Sequence, residues 1–308
     1  MVSTRSRITS IPVLAAGMFA ASLPLSLKAL AQDASPEPVA VENPFADLGL
    51  PEIELQFTSA EVTGMPESVE AGRYLVIAHG EPTPDEWAFG PMFLQLPEGT
   101  TMEDIMAIDP STLEGPPEFY YNSVIAGGPV VLASSGATTA YGVVDLTPGE
   151  WIVAGGQLMQ PPSAFSVTGE MPADLVEPEA GVTLTIGEMV IEQTDGGFVV
   201  GENVVKVENV GAQPHFVELS KVPDGTTEEN VEATIATFMG GTPEAEPLAE
   251  EDFVPVSFSN EQSGGTVQWS TMTIPGAGTH AATCWIPDPE TMMPHAAMGM
   301  YAIIEIEG

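Results

Sequence analysis

The sequence predicts an all-β protein made of two tandem Greek-key β-sandwiches, each with a short inserted helix. Short runs of β-branched and aromatic residues alternate with polar residues and stop at Gly, Pro or Asn. Few helical segments separate these runs, which is typical of antiparallel sandwiches. A repeated sequence pattern also relates the two halves of the chain.

The predicted strands follow one another along both halves. They are short segments in which apolar and polar residues alternate, so that one face of each strand can be buried. The clearest ones are expected at residues 53–57, 73–78, 182–186, 204–208, 216–219, 254–258, 266–272 and 301–306.

The repeat sets the number of domains. Its matched segments keep their order, and their offset grows only slightly along the chain: 91–96 with 214–219, 97–105 with 223–231, and 149–155 with 278–284. We therefore expect two copies of one fold, at 52–172 and 182–308. A linker-like segment at 173–181 joins them.

Each copy is expected to contain its helix shortly after a matched strand. Thr100 precedes Glu103 by three residues in the first copy, and Thr226 precedes Glu229 by three residues in the second. This is the spacing of a capping box, in which each of the two side chains accepts a hydrogen bond from the backbone N–H of the other residue.

The N-terminus predicts export. Arg5 and Arg7 precede an apolar stretch at 11–27, which ends near the small-residue cleavage signal Ala29-Leu30-Ala31. Residues 1–31 are thus interpreted as a signal peptide cut after Ala31, and the mature protein as secreted or periplasmic.

A transmembrane anchor is the competing interpretation of this stretch. Pro12, Pro24 and Lys28 interrupt it, and nothing downstream approaches the length of a membrane span. We therefore expect no membrane insertion after cleavage. Residues 32–51 are rich in Pro and acidic residues and predict a flexible leader.

The charge of the chain is strongly negative. After cleavage only Arg73, Lys206 and Lys221 oppose 44 acidic residues, which gives a formal charge of 3 − 44 = −41. Such a field repels nucleic acid and anionic membranes and favours a basic partner protein. The alternative is that the acidity reflects a salty or acidic habitat.

Cys284 is the single cysteine of the chain, so no internal disulfide can form. A free thiol in an exported protein is prone to oxidation unless it is buried or bound to a metal. Cys284 taken alone fits a buried core thiol as well as a metal ligand.

The second copy places this thiol among further candidate ligands. The segment Asn209-Val210-Gly211-Ala212-Gln213-Pro214-His215 is followed by Cys284, His295 and Met300, in that order. This order over 182–308 resembles the cupredoxin, or blue copper, family. The resemblance implies two tandem cupredoxin-like sandwiches and one type 1 copper held by His215, Cys284, His295 and an axial Met300.

The spacing around the second His supports that ligand set. Four residues separate His295 from Met300, an interval that resembles plastocyanins and the type 1 site of copper nitrite reductases. Met298 stands at the shorter interval of amicyanin-like proteins and is the alternative axial ligand. The ten residues between Cys284 and His295 are more than small cupredoxins use.

Other positions predict electron transfer and no enzymatic activity. Thr283 precedes Cys284, so the His-Cys pair that bridges to a second copper centre is missing. His280 is expected in the core and His79 in a loop. In the first copy Met92 and Gly155 replace the first His and the Cys, so 52–172 is predicted to be a degenerate copy without a metal site.

Three functions therefore remain open. The first is a one-electron carrier in which His295, near the surface, passes the electron to a redox partner. The second is an extracytoplasmic Cu(I) carrier or scavenger, and the third is a metal-free structural or adhesion module. An apolar patch could serve partner docking, Cu(I) transfer or plain packing, and it comprises Trp285, Met292, Met293 and Met298.

Overall fold

A computed structural model describes residues 41–57, 61–80, 88–108, 115–132, 137–155 and 162–308 of the protein. The predicted signal peptide and its cleavage site lie outside these ranges. Strands dominate the described residues, and the all-β prediction is confirmed. In the described part of the chain, no helix has both the length and the apolar character needed to cross a membrane.

The first half begins with a 3₁₀ turn at Ala46–Leu48 and contains two short helices, α1 at Met102–Met106 and α2 at Glu118–Asn122. Its described strands are β1 Glu52–Phe57, β2 Val62–Thr63, β3 Ser68–Glu70, β4 Gly72–Gly80, β5 Ala88–Phe89, β6 Pro91–Gln95, β7 Val124–Gly127, β8 Val131–Leu132, β9 Thr139–Leu146, β10 Gly149–Gly155 and β11 Ser163–Thr168.

The second half contains the longer helix α3 at Glu228–Phe238 and 3₁₀ turns at Glu250–Asp252 and His295–Met298. Its strands are β12 Val182–Gly187, β13 Val190–Gly196, β14 Gly201–Asn209, β15 Glu218–Lys221, β16 Val254–Phe258, β17 Val267–Ile274, β18 Gly278–Thr283 and β19 Tyr301–Ile306.

The two halves repeat one strand arrangement and share a sheet. That sheet has the order β13-β12-β14-β17-β9-β4-β1-β2, and its halves meet where β17 pairs antiparallel with β9, Trp269 opposite Val143. The facing layers are β3-β11-β10-β6-β7 and β16-β15-β18-β19. In each facing layer two strands from matched sequence segments are neighbours, β6 with β10 and β15 with β18.

Alternating burial builds a core inside each sandwich. Along β1 the buried residues are Ile53, Leu55 and Phe57, while the residues between them are exposed. In the second sandwich Leu184 and Val207 pack in one cluster with Cys284 and Met300. Each fully buried aliphatic side chain of this kind contributes about 1.5–3 kcal/mol relative to its exposed state. Cys284 and Met300 thus lie in the apolar core of the second sandwich.

The flexible leader predicted over 32–51 is wrong for its described end. Phe45 is only 2% exposed and packs with Leu75, Val143 and Trp269 against the shared sheet. The segment is rich in Pro and acidic residues, but a few apolar side chains are enough to anchor its described end.

The predicted helices exist, but their capping boxes lie one residue later than expected. Thr101 caps α1 with Asp104, and Thr227 caps α3 with Asn230. The Asn230 backbone N–H donates to Thr227 Oγ1 at 3.4 Å, and the Thr227 N–H donates to Asn230 Oδ1 at 3.0 Å. The short side chains of Asp104 and Asn230 therefore complete the capping boxes in which the spacing predicted Glu103 and Glu229.

The strand predicted at 216–219 begins later, at Glu218. The preceding residues bond a neighbouring loop instead of extending the β15 ladder. His215 N–H donates to Gln262 O at 3.0 Å, and Val217 N–H donates to Ser259 Oγ at 2.8 Å. This loop contact holds the backbone of His215 in place.

Candidate metal centre

The structure brings together the three non-methionine ligands that the sequence predicts. Cys284 Sγ lies 3.9 Å from His215 Nδ1 and 3.7 Å from His295 Nδ1. These three potential ligand atoms lie within 4.8 Å of one another. Each of the three residues is 0% exposed, so the site is shielded from solvent.

Three different segments supply these residues, and backbone hydrogen bonds connect them. Cys284 directly follows β18, and its N–H donates to Met300 O at 3.3 Å. The N–H of His295 donates to Ile286 O at 2.8 Å, and that of Met300 donates to His295 O at 2.9 Å. The loop between Cys284 and His295 is therefore folded back onto its own ends.

The turn before His215 is fixed by Asn209. Its Nδ2 donates to Gln213 O at 2.9 Å and to Gln262 O at 2.8 Å, while Oδ1 accepts from Gly211 N–H at 2.9 Å. A Cβ at Gly211 would lie 2.7 Å from Glu188 Oε1. The Asn-x-Gly pattern is thus explained by a side-chain bond and a close approach.

The hydrogen bond of His295 fixes its tautomer. Nε2–H donates to Gln213 Oε1 at 2.7 Å, which leaves Nδ1 with a lone pair directed at Cys284. Burial, followed by the nearby His295, lowers the pKa of His215 to about 4. Burial also lowers the pKa of His295. Both rings are therefore neutral near pH 7, as metal ligands must be.

The environment of Cys284 favours a thiolate only beside a cation. Burial raises the pKa of the thiol to about 12, although the backbone N–H groups of Phe216 and Ile286 favour the thiolate. A metal ion at the two ring nitrogens would reverse this preference, because a coordinating thiol loses its proton.

Two residues of the site were missed by sequence reasoning. Gln213 Nε2 donates to Asp288 Oδ2 at 3.0 Å, so one amide links a carboxylate to His295. The Thr291 N–H donates to Asp288 Oδ1 at 2.8 Å, and this bond leads a set that lowers the pKa of Asp288 to about 2. Two sequence features could have pointed to these residues: Gln213 stands two positions before His215, and Asp288 stands three positions before Thr291.

The two candidate axial residues lie in different surroundings. Met300 is 0% exposed and belongs to the same apolar cluster as Cys284. Met298 is 38% exposed, and Thr291 Oγ1 lies 3.8 Å from its sulfur.

The structure also shows the surroundings of His295, His280 and His79. The expectation that His295 lies near the surface is wrong. The residue is fully buried, and its Nε2 is hydrogen-bonded to Gln213. His280 is buried, as expected, and its Nδ1 lies 2.9 Å from Gly278 O. His79 lies on β4 and not in a loop, with Nδ1 3.0 Å from Thr139 Oγ1.

The predicted apolar patch is exposed only in part. Met292 and Met293 are 41% and 43% exposed, and Met298 is also accessible. Trp285 instead packs beside Phe238, because its Nε1–H donates to the buried Glu218 at 3.1 Å.

The donor set fits one type 1 copper ion. A thiolate and two imidazoles, with a thioether nearby in the same cluster, form the soft and low-coordinate environment that suits both oxidation states of copper. The ring nitrogens are neutral and aimed at the sulfur, and the pocket excludes water. The convergence of His215, Cys284 and His295 therefore fits the predicted type 1 copper site.

No protein-family model and no curated protein matches the chain. It is similar to solved auracyanins: one from Roseiflexus castenholzii reduced with Na-dithionite (20% identity, 41% of this chain, 95% of that chain, TM-score 0.27) and auracyanin A, a "blue" copper protein from Chloroflexus aurantiacus (20%, 41%, 98%, 0.25). It is also similar to copper nitrite reductase from Nitrosomonas europaea (11%, 83%, 94%, 0.22).

The order of the ligands and their meeting point in the second sandwich confirm, on the geometry of this chain, that residues 182–308 resemble a cupredoxin.

Proposed function

We propose that the protein is an exported type 1 copper protein that carries single electrons. The convergence of His215, Cys284 and His295 in a buried, preformed site carries this proposal. Bound copper would supply the one-electron chemistry between its two oxidation states. The chain itself keeps the ligands fixed through the bonds at Asn209 and Gln213, so little rearrangement accompanies the transfer.

Met300 is the axial ligand in this proposal. Its burial in the cluster of Cys284 and its backbone bonds to both ligand segments support this choice over Met298. A long thioether bond at this position would tune the reduction potential.

Electron transfer is favoured over substrate turnover. Thr283 occupies the position through which a second copper centre would be joined, and the remaining histidines bond elsewhere. His280 lies against Gly278, and His79 against Thr139 and Glu54. Export through the signal peptide at 1–31 is part of the proposal and rests on the sequence of that segment.

The proposed partner is a basic redox protein that docks at a cleft between the two halves. The cleft has a volume of about 480 Å³, and its lining includes Gln213, which connects it to His295. Other lining residues are Pro116, Glu118 and Tyr121 from the first half and Pro289 and Met292 from the second. In this proposal the electron passes between the copper site and the cleft by way of Gln213, and not through a His295 ring near the surface, as the sequence suggested.

Charge supports a basic partner. The three cations that follow residue 31 each lie beside an acidic side chain: Arg73 with Asp145, Lys206 with Glu177 and Glu208, and Lys221 with Asp224. These three cations therefore do not neutralise the acidic side chains around the cleft. The remaining negative charge attracts a positively charged surface of a partner.

Absorption spectroscopy with Cu(II) tests the function. The purified mature protein should bind one equivalent and develop an intense blue thiolate-to-copper band that disappears on reduction by one electron. Cys284→Ala should not develop this band. A protein that binds no copper would overturn the proposal and leave a metal-free module.

Three exposed thioethers support a second candidate, a Cu(I) carrier. Met292, Met293 and Met298 are each more than a third exposed, and thioethers favour Cu(I). Tight, colourless binding of Cu(I) that survives Cys284→Ala and is lost when the three residues are replaced by Leu would favour this candidate.

A further inference from the structure

Two consecutive tyrosines of the first half contact the two loops that position His215 and His295. Tyr120 Oη donates to Glu261 Oε2 at 2.8 Å, beside the Gln262 backbone that pairs with His215. Tyr121 Oη donates to Pro287 O at 2.9 Å, within the loop between Cys284 and His295.

The helix that carries these tyrosines is itself held against the second half. Ser263 Oγ donates to Ser123 O at 2.9 Å and accepts from Ile125 N–H at 2.9 Å. The backbone N–H of Ser263 donates to Ile125 O at 2.9 Å. The C-terminal end of α2 is therefore held against the second half, two residues after Tyr121.

Pro287 lies where an outside contact can restrain both ends of the loop between Cys284 and His295. It forms a bridge with Pro294, the residue before His295, and it lies three positions after Cys284. A bond to the Pro287 carbonyl thus restrains both ends of the loop at once.

A second contact from the first half falls on the same loop. Met292 lies so close to Gly115 that an added Cβ would be 1.9 Å from its terminal methyl carbon. The ring of Tyr121 packs against the cluster that contains Cys284 and Met300. Both a hydrogen bond and packing contacts from the first half therefore restrain the loop between Cys284 and His295.

We propose that the first half is a brace for the copper-ligand loop, with Tyr121 as its positioning residue. The long interval between Cys284 and His295 creates the need for such a brace, since ten intervening residues have more freedom than a short loop. The identity of the ion rests on the proposed function, whereas the restraint of the loop does not.

Hydrogen exchange of the copper-free protein tests the brace. In Tyr121→Phe the amides of Asp288, Met292 and His295, which are bonded within the loop, should exchange about fivefold faster because one neutral hydrogen bond is lost. Tyr74→Phe is the matched control, because it removes a tyrosine bond to the Glu70 carbonyl at 2.7 Å in the same half.

The same variants loaded with copper give a second measurement. Tyr121→Phe should bind one equivalent of copper but show an altered charge-transfer spectrum and faster release to a chelator, while Tyr74→Phe matches the wild type. Loop exchange in Tyr121→Phe equal to that of the control would overturn the brace. If neither variant nor the wild type binds copper, the proposed function fails, and loop exchange still decides the brace.

Discussion

At the scale of single residues, Gln213 connects the ligand set to the surface. Oε1 of its amide accepts a hydrogen bond from His295, and Nε2 donates one to Asp288. Both polar atoms of the amide are therefore bonded, and its orientation is fixed. A leucine could fill a similar volume but could neither orient the ring nor select its tautomer. The amide would therefore act on a bound metal through the histidine.

We expect Gln213→Leu to weaken copper binding about tenfold or more, as is typical when a hydrogen-bonded partner of a metal ligand is removed. Competition against a chelator of known affinity measures this loss. Gln193→Leu is the control, because its amide donates to the Gly196 carbonyl at the exposed end of β13. Equal losses in both variants would contradict the role of Gln213.

Glu218 makes stability depend on pH. Burial raises the pKa of its carboxyl to about 7 from an ordinary value of 4.5, although Trp285 Nε1–H and Ser220 Oγ–H donate to it. The folded state therefore holds the proton more tightly than the unfolded state. Its stabilising contribution is full below about pH 4.5 and is lost as the pH rises through about 7.

We expect the free energy of unfolding of Glu218→Gln to fall less between pH 4.5 and 8 than that of the wild type, by about 3 kcal/mol. Urea unfolding of the copper-free protein at several pH values measures the difference. The exposed Glu192→Gln should follow the wild-type curve. Parallel curves for Glu218→Gln and the wild type would contradict the assignment.

At the scale of elements, the helices show how closely local patterns determine structure. Their positions followed from the repeat, because Thr residues precede an apolar segment in both copies. The choice between Thr226 and Thr227 did not follow, since adjacent threonines offer two overlapping registers. Local contacts distinguish them: Thr226 Oγ1 donates back to Pro223 O at 2.7 Å, and Thr227 caps α3.

Removal of this cap should destabilise the protein. Thr227→Ala is expected to lower the free energy of unfolding by about 1 kcal/mol, because the first turn of α3 loses a hydrogen-bond acceptor. Glu229→Gln, which keeps the size of the acid in the expected capping box, should change it by less than about 0.5 kcal/mol. Chemical denaturation measures both changes. A larger loss of stability in Glu229→Gln than in Thr227→Ala would instead support the capping box predicted between Thr226 and Glu229.

At the scale of the whole molecule, the two halves form one sheet through β9 and β17. The sequence repeat revealed two copies but not this junction, because edge strands of either copy show the same alternation whether they pair or face solvent. The clustering of His215, Cys284 and His295 was predictable because Cys occurs once and His four times in 308 residues. Gln213 and Asp288 were not, since polar residues are common and only the fold brings them to His295.

Net charge should govern association with a partner. We expect electron transfer from a reduced, basic c-type cytochrome to the copper-loaded protein to slow about tenfold or more as ionic strength rises from about 0.01 to 0.15 M, since salt screens the attraction. Stopped-flow absorption measures the rate. A rate that is constant or increases with salt would contradict a basic partner.

Copper K-edge X-ray absorption of the metal-loaded protein tests the central claim most directly. The spectrum should show one copper with a short bond to a single thiolate sulfur and bonds to two imidazole nitrogens, and the sulfur contribution should vanish in Cys284→Ala. A first shell of nitrogen and oxygen atoms alone would contradict the claim that the buried thiol and the two rings hold the ion together.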